Sequence, residues 1–193
     1  MEGSSRPSHR TALAVLAAVV VLAALFAVSV VLVTHGGGSS GSTTLTQTTT
    51  RRSVEPLGPI ATSPAVLATI ATASGSPIYW LGPEPGYRYE LTRTRSGNVF
   101  VRYLPAGAKV GNRSASYRVV GTYPYTGALA AVKAAPGAKV TKLPRGGVAV
   151  TTSADPKSVH LAYPGLNYEI EVYDPVPGRA LATVVAGRVL RVG

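Results

Sequence analysis

Residues 87–104 read YRYELTRTRSGNVFVRYL, and this stretch carries the clearest structural signal in the chain. It contains two runs rich in aromatic and β-branched residues, 87–95 and 99–104, on either side of Gly97-Asn98. Runs of this kind around a glycine–asparagine pair are typical of a β-hairpin with a two-residue turn. We therefore expect two antiparallel strands here.

Comparable patterns continue on both sides of this hairpin. Further strand patterns lie at residues 78–81, 117–123, 148–152, 159–163, 166–173 and 189–192. Short helix patterns lie at residues 63–73, 127–135 and 178–186. The first begins with Ser63-Pro64, a capping serine followed by proline, and Gly75 is expected to end it. Residues 55–193 are therefore predicted to form one α+β domain, rich in antiparallel strands and with about three short helices.

A long apolar run precedes this domain. Residues 12–33 contain no charged residue, glycine or proline and are mostly Ala, Val and Leu. A helix of 22 residues spans about 33 Å, which is enough to cross a hydrocarbon core of about 30 Å. A cleaved signal peptide is the alternative, but its apolar region is usually about 7 to 15 residues long. We expect an uncleaved transmembrane helix at residues 11–34, in contact with the lipid bilayer through residues 12–33.

Basic residues predict the orientation of this helix. Arg6 and Arg10 precede it, whereas the next basic residues, Arg51 and Arg52, lie well beyond it. The short basic end is expected to stay inside the cell, which makes residues 1–10 a cytoplasmic tail. Residues 35–54, rich in Gly, Ser and Thr, are predicted to be a disordered linker. The chain is thus predicted to be a single-pass plasma-membrane protein with its C-terminal domain outside.

Composition narrows the chemistry of the chain. There is no cysteine, which excludes disulfides and thiolate metal sites and mildly favours a bacterial origin, as does the bias toward Ala, Val, Gly, Pro and Arg. The formal net charge is +11, and residues 55–193 hold most of the excess. A positive field outside a cell attracts acidic lipids, anionic wall polymers or acidic proteins, although solubility alone also explains it.

Residues 77–94, PIYWLGPEPGYRYELTRT, carry a resemblance to a group of bacterial proteins. The stretch resembles uncharacterised single-pass membrane proteins of high-GC bacteria, and this resemblance implies no catalytic or binding residue. Within it, the pattern Pro-Gly-x-x-Tyr-Glu at residues 85–90 recurs at residues 164–169, which lie 79 residues later. The recurrence suggests a duplicated unit in which Pro-Gly forms a type II turn and the tyrosine enters the core side of a strand.

Three arginines of the predicted hairpin form a candidate anion-binding site: Arg93, Arg95 and Arg102. With Gly97-Asn98 as the turn, residue 93 lies opposite residue 102, and all three side chains share a face. Guanidinium groups match phosphate and carboxylate geometry, so an anionic envelope polymer or a lipid headgroup is the ligand that the set suggests. Solvated charges that protect a sheet edge are the alternative.

Carboxylates near the C-terminal end of the chain form a second candidate. Residues 166–173 alternate, with Ile170 and Val172 predicted on one face and Glu169 and Glu171 on the other. Together with Asp174, such acids can serve in acid–base catalysis or bind Ca²⁺. The alternative is that these acids lie on a solvent-exposed face of the strand and pair with the many Lys and Arg side chains, because such a face has the same alternating pattern.

The single histidine and the single tryptophan of residues 55–193 do not indicate a catalytic or binding site. His160 is the only histidine in residues 55–193 and is expected to be a surface or hydrogen-bonded strand residue on the same face as Ala162. Trp80, next to Tyr79, is expected in the core rather than stacked on a sugar. The sequence has no phosphate loop, dinucleotide fingerprint or nucleic-acid motif, so no cofactor, metal or nucleic acid is predicted.

These features predict a membrane-anchored extracytoplasmic module of the cell envelope that binds or scaffolds another component. Its expected partners, besides the bilayer, are an anionic envelope polymer, lipid headgroups or another membrane protein. An envelope hydrolase that uses Glu169, Glu171 or Asp174 is one alternative. A sensor or accessory subunit of a membrane complex is another, although a cytoplasmic tail of ten residues would require a signalling partner.

Overall fold

An eight-stranded antiparallel sheet organises residues 55–193, the part of the chain that the computed structural model describes. The strands are, in chain order, β1 (Leu57–Thr62), β2 (Tyr79–Trp80), β3 (Tyr87–Arg93), β4 (Val99–Pro105), β5 (Val119–Pro124), β6 (Lys139–Lys142), β7 (Val148–Thr151), β8 (Ser158–Ala162), β9 (Tyr168–Tyr173) and β10 (Leu190–Arg191). Their order across the large sheet is β1-β3-β4-β5-β9-β8-β7-β6, while β2 and β10 pair with each other. The predicted antiparallel α+β domain is confirmed.

Three α-helices occur in this part of the chain, as predicted: α1 (Pro64–Ser74), α2 (Ala128–Lys133) and α3 (Arg179–Val185). The start and end of α1 follow from single residues. The hydroxyl of Ser63 accepts the Val66 N–H at 3.3 Å, which caps the free donors of the first turn. Gly75 takes a left-handed conformation, φ 62°, that ends the helix.

The two faces of the sheet are covered differently. The core face carries Leu91, Val101, Val120, Leu161 and Val172, all almost fully buried. Helix α1 packs on this face through Leu67, and α3 through Ala180 and Val184, together with Trp80 and its neighbours in the chain. This face holds the main hydrophobic core, and it accounts for the predicted burial of Trp80, which is only 8% exposed.

The opposite side, the outer face, is defined by residues that lie opposite one another in successive strands: Phe100, Gly121, Glu171, His160 and Val150. Helix α2 covers only one end of this face, where Ala128 and Val132 pack on Val148, Val150 and Ala162 of β7 and β8. The centre of the outer face therefore presents polar and aromatic side chains outside both hydrophobic clusters.

The hairpin predicted at residues 87–104 is confirmed, but its predicted two-residue turn is wrong. Strand β3 ends at Arg93, and Arg93 lies opposite Val99. The Thr94 N–H donates to the Asn98 carbonyl at 2.9 Å, and the Thr94 hydroxyl accepts the Asn98 N–H at 3.1 Å. These bonds close a five-residue loop, residues 94–98, and shift the register of the hairpin.

The two edge strands of the sheet, β1 and β6, were not predicted from the sequence. Strand β1 contains Gly58-Pro59 at an irregularity of its register between Leu57 and Ile60, where the missing proline donor interrupts no regular pairing. Strand β6 has four residues and two lysines, which is too short and polar for a clear strand pattern. Residues 189–192, predicted as a last edge strand, pair with β2 as β10 instead of joining the large sheet.

The N-terminal predictions, residues 1–10, 11–34 and 35–54, lie outside the described residues. Within residues 55–193, no helix is both long and apolar enough to cross a membrane.

Candidate functional site

The three arginines of the predicted anion site do not form one patch. Arg93 belongs to the side of β3 that carries Leu91, and its Nε donates to the Glu55 carbonyl at 3.0 Å. Arg95 lies in the loop that follows and is exposed. Arg102 lies on the outer face, opposite Glu90 rather than Arg93. The shared face required a two-residue turn, so the correct register separates Arg93 from Arg102.

Arg102 is engaged inside the domain. Its Nη1 lies 3.1 Å from Oε1 of Glu90, a carboxylate whose side chain is only 2% exposed. The second oxygen of Glu90 accepts the Gly111 N–H at 2.6 Å, and Arg102 also donates to the carbonyls of Asn112 and Ser114. These bonds fix the loop between β4 and β5 on the outer face, so Arg102 has few donors left for an external anion.

Arg118 is also neutralised within the domain. Its guanidinium is hydrogen-bonded to both carboxylate oxygens of Glu84. The same group lies 4.9 Å from the ring centroid of Tyr87 and 5.0 Å from that of Tyr103. Carboxylate and aromatic rings together satisfy the cation, which indicates a structural role.

Glu169 and Glu171 share the outer face, as the alternation predicted, but Glu171 is not solvated. Its side chain accepts the Ser158 hydroxyl at 2.7 Å and the Tyr123 hydroxyl at 2.5 Å, one on each oxygen. Burial raises the pKa of the Tyr123 phenol, and the charge of Glu171 and the hydrogen bond to it raise it further. The partners of Glu171 are therefore hydroxyl groups, not the lysines and arginines that the sequence suggested.

His160 and Glu169 form the second part of this network. Nδ1 of His160 lies 2.7 Å from Oε1 of Glu169, and both side chains are 23% exposed. Burial disfavours the imidazolium, but the bond to Glu169 and the charges of Glu171, Glu169 and Asp155 outweigh it. The pKa of His160 is therefore raised above its ordinary value of 6.5. The expected hydrogen-bonded strand histidine on the same face as Ala162 is confirmed.

Asp174 does not join the two glutamates. Its side chain is 1% exposed, Oδ1 accepts the Val176 N–H at 2.8 Å, and Oδ2 has no hydrogen-bond partner within the described residues. The hydroxyl of Ser158 donates to Glu171 rather than to His160, so the serine and histidine lack the contact of a nucleophile and its base. Among residues 55–193, no group of three or more His, Asp or Glu side chains is placed to hold a metal ion.

The distribution of charge over the surface is the most unequal feature of the domain. Of the seven acidic side chains in residues 55–193, only Glu55 is exposed. Eleven of the fifteen basic side chains are exposed: Arg88, Arg95, Lys109, Arg113, Lys133, Lys139, Lys142, Arg145, Arg179, Arg188 and Arg191. Three of the other acids, Glu90, Glu171 and Asp174, are buried, and the rest are partly buried, so exposed positive charge predominates on the surface.

A sequence signal for this surface lies in the positions of the acidic residues along the chain. Residues 91–154 contain ten Lys and Arg residues and no Asp or Glu. This acid-free segment includes β4 to β7 and α2, and seven of its ten basic side chains are exposed. Net charge alone does not reveal this segregation, whereas the positions of the acids along the chain do.

Comparison with known proteins adds no functional assignment, because no protein-family model, curated protein or solved structure matches this chain.

Proposed function

We propose that this chain is a membrane-anchored extracytoplasmic module that binds an anionic component of the cell envelope through the positive surface of its acid-free segment, residues 91–154. The anchor is the apolar segment at residues 12–33, and the binding part is the α+β domain. The observation that carries the proposal is the presence of eleven exposed basic side chains beside one exposed acid. Such a surface attracts polyanions over about a Debye length and binds them through charge-assisted hydrogen bonds.

The internal pairing of the remaining charges supports this proposal. Arg102 and Arg118 each bind a glutamate of the domain, so the charges that could offset the positive surface are used inside the fold. Six of the seven acids are thus buried or partly buried, whereas most of the basic side chains are exposed, and solubility does not require this inequality because mixed charges serve it equally well.

The carboxylates favour a structural role over the hydrolase alternative. Both oxygens of Glu171 are occupied by hydroxyl donors, Glu169 binds His160, and Asp174 is almost fully buried. General acid–base catalysis needs a carboxyl group within reach of a substrate proton. The described contacts leave Glu171 and Asp174 without that access.

The test is retention of the full-length chain, in micelles of a zwitterionic detergent, on immobilised polyphosphate and on neutral dextran. We expect retention on polyphosphate only, with affinity that falls as salt rises. Two charge-matched triple variants locate the surface: Lys133, Lys139 and Lys142 to Gln in the acid-free segment, and Arg179, Arg188 and Arg191 to Gln outside it.

The first variant is expected to lose several-fold more affinity than the second. Equal losses would mean that polyphosphate senses net charge alone, and the proposal of a binding surface in the acid-free segment would then be wrong. Retention on neutral dextran, or retention that does not change with salt, would contradict an electrostatic mode of binding.

A further inference from the structure

The hairpin of β6 and β7 forms one end of the sheet and carries cations without any acid. Strand β6 pairs only with β7, so the backbone of its outer side faces solvent. Lys139 and Lys142 lie at its two ends, and Arg145 follows in the turn, all three exposed. Between them, Val140 is 48% exposed, one of the most exposed large apolar side chains in residues 55–193.

The turn of this hairpin places an arginine where the backbone favours glycine. Arg145 has φ 58° and ψ 28°, and Gly146 has φ 73°; successive positive φ values are those of a type I′ turn. Arg145 is the only residue other than glycine with positive φ among residues 55–193. Its left-handed conformation is unfavourable for a long side chain, so the local structure does not account for the choice of arginine.

We infer that the β6–β7 hairpin docks on the anionic headgroups of the membrane to which the chain is anchored. This inference rests on the proposed function and specifies its ligand. Lys139, Lys142 and Arg145 supply the charge, and Val140 supplies apolar contact at the boundary between headgroups and acyl chains. Basic residues around exposed apolar side chains are the combination that binds such a boundary.

A lipid surface fits this hairpin better than a soluble polymer does. A polymer bound by charge alone leaves Val140 exposed to water, whereas an interface buries it. The predicted anchor and linker would tether the domain to the membrane, which gives a high effective concentration of headgroups. If the lysines only protected the β6 edge from aggregation, contact between the hairpin and the membrane would not depend on lipid composition.

The experiment uses the full-length chain in nanodiscs of phosphatidylcholine alone or of phosphatidylcholine mixed with phosphatidylglycerol. Because the chain has no cysteine, Pro144→Cys allows one environment-sensitive fluorophore to be placed in the turn. A matched label at Ala106→Cys, in the exposed loop after β4, reports on a site outside the hairpin. Headgroup-linked quenchers measure the approach of each label to the membrane.

Two charge variants of the labelled protein accompany the measurement, and their substitutions lie outside the labelled positions. Each is checked for an unchanged thermal transition. The first combines K139Q, K142Q and R145G, and its glycine suits the positive φ at that position. The second is the charge-matched control R179Q, R188Q and R191Q. We expect quenching of the Pro144→Cys label only in the anionic nanodiscs, with at least a fivefold loss in the first variant and little change in the second.

The other outcomes overturn the inference in distinguishable ways. Equal quenching in both lipids, equal effects of both variants, or stronger quenching of the Ala106→Cys label would reject the hairpin as the docking element. Absent quenching together with salt-sensitive polyphosphate binding would reject the lipid ligand and leave the proposed function intact. Absence of both would reject the two together.

Discussion

Nδ1 of His160 lies 2.7 Å from Oε1 of Glu169, and the two side chains meet across β8 and β9 on the outer face. Glu171 lies directly opposite His160 in the neighbouring strand, so one imidazole is close to two carboxylates. The pair therefore links the stability of the domain to pH.

Replacing His160 by Gln is expected to flatten the pH dependence of stability. Because the pKa of His160 is raised in the folded state, its contribution is fully present below the unfolded pKa of about 6.5 and is lost as pH rises through the folded pKa. The difference in the free energy of unfolding between wild type and His160→Gln should thus be larger near pH 6 than near pH 9. Urea denaturation at both pH values measures it.

Glu169→Gln is the matched control for this titration, because it removes the direct partner while keeping the shape of the side chain. The difference in the free energy of unfolding between wild type and Glu169→Gln should show most of the same dependence on pH. A wild-type advantage over His160→Gln that is constant between the two pH values would mean that the ion pair does not control the titration.

Arg102→Met is expected to destabilise the domain strongly, whereas Arg95→Met is not. Removal of the Arg102 guanidinium leaves the buried Glu90 carboxylate with only the Gly111 N–H, and loss of one member of a buried ion pair costs about 3–5 kcal/mol. Arg95 is exposed in a loop, where substitutions usually change stability by about 0.5 kcal/mol or less. Comparable urea midpoints for both variants would mean that the ion pair of Arg102 with Glu90 does not stabilise the domain, and that Arg102 is free to bind an external anion.

The contrast between Arg95 and Arg102 illustrates what sequence patterns reveal. The helix α1 was predicted correctly because its signals, Ser63-Pro64 and Gly75, act within one turn of the helix. The alternation of β9 was likewise correct, since it depends only on consecutive residues. Local chemistry thus predicted the elements and the faces of their side chains.

The contacts that decide the candidate site join residues far apart in the chain. The buried carboxylate of Glu171 accepts a hydrogen bond from Tyr123, which lies 48 residues earlier, and no local sequence pattern predicts that contact. The register of β3 and β4 depends on the two bonds between Thr94 and Asn98, which compete with a tighter turn. The uneven distribution of acids, in contrast, is visible in the sequence itself as the acid-free segment at residues 91–154.

Tyr103→Phe tests a buried hydroxyl that joins β4 to the segment after β2. The Tyr103 hydroxyl accepts the Leu81 N–H at 2.7 Å and donates to the Gly82 carbonyl at 3.0 Å. Phenylalanine fills the same space but leaves both backbone groups buried without partners, which costs about 1–3 kcal/mol. Chemical denaturation measures the loss. Tyr125→Phe, at a half-buried position beside α2, is the control and should change stability by less than about 0.5 kcal/mol.

Gly121→Ala tests whether the ring of Tyr123 needs the space that this glycine leaves. A Cβ atom at residue 121 would lie 2.7 Å from Cε2 and 2.8 Å from the hydroxyl of Tyr123, so the ring must move. Movement of the ring removes the hydroxyl that binds the buried Glu171. We expect Gly121→Ala to lower the free energy of unfolding by about 1–3 kcal/mol.

The double-mutant cycle with Tyr123→Ala separates this clash from other effects of the substitution. Gly121 does not have a positive φ, so alanine is free of backbone strain there and restricts the unfolded chain, which favours folding by about 0.4–1 kcal/mol. In the Tyr123→Ala background the ring is absent, and Gly121→Ala should become neutral or stabilising. The same loss of stability in both backgrounds would mean that Gly121 serves β5 itself rather than the bond between Tyr123 and Glu171.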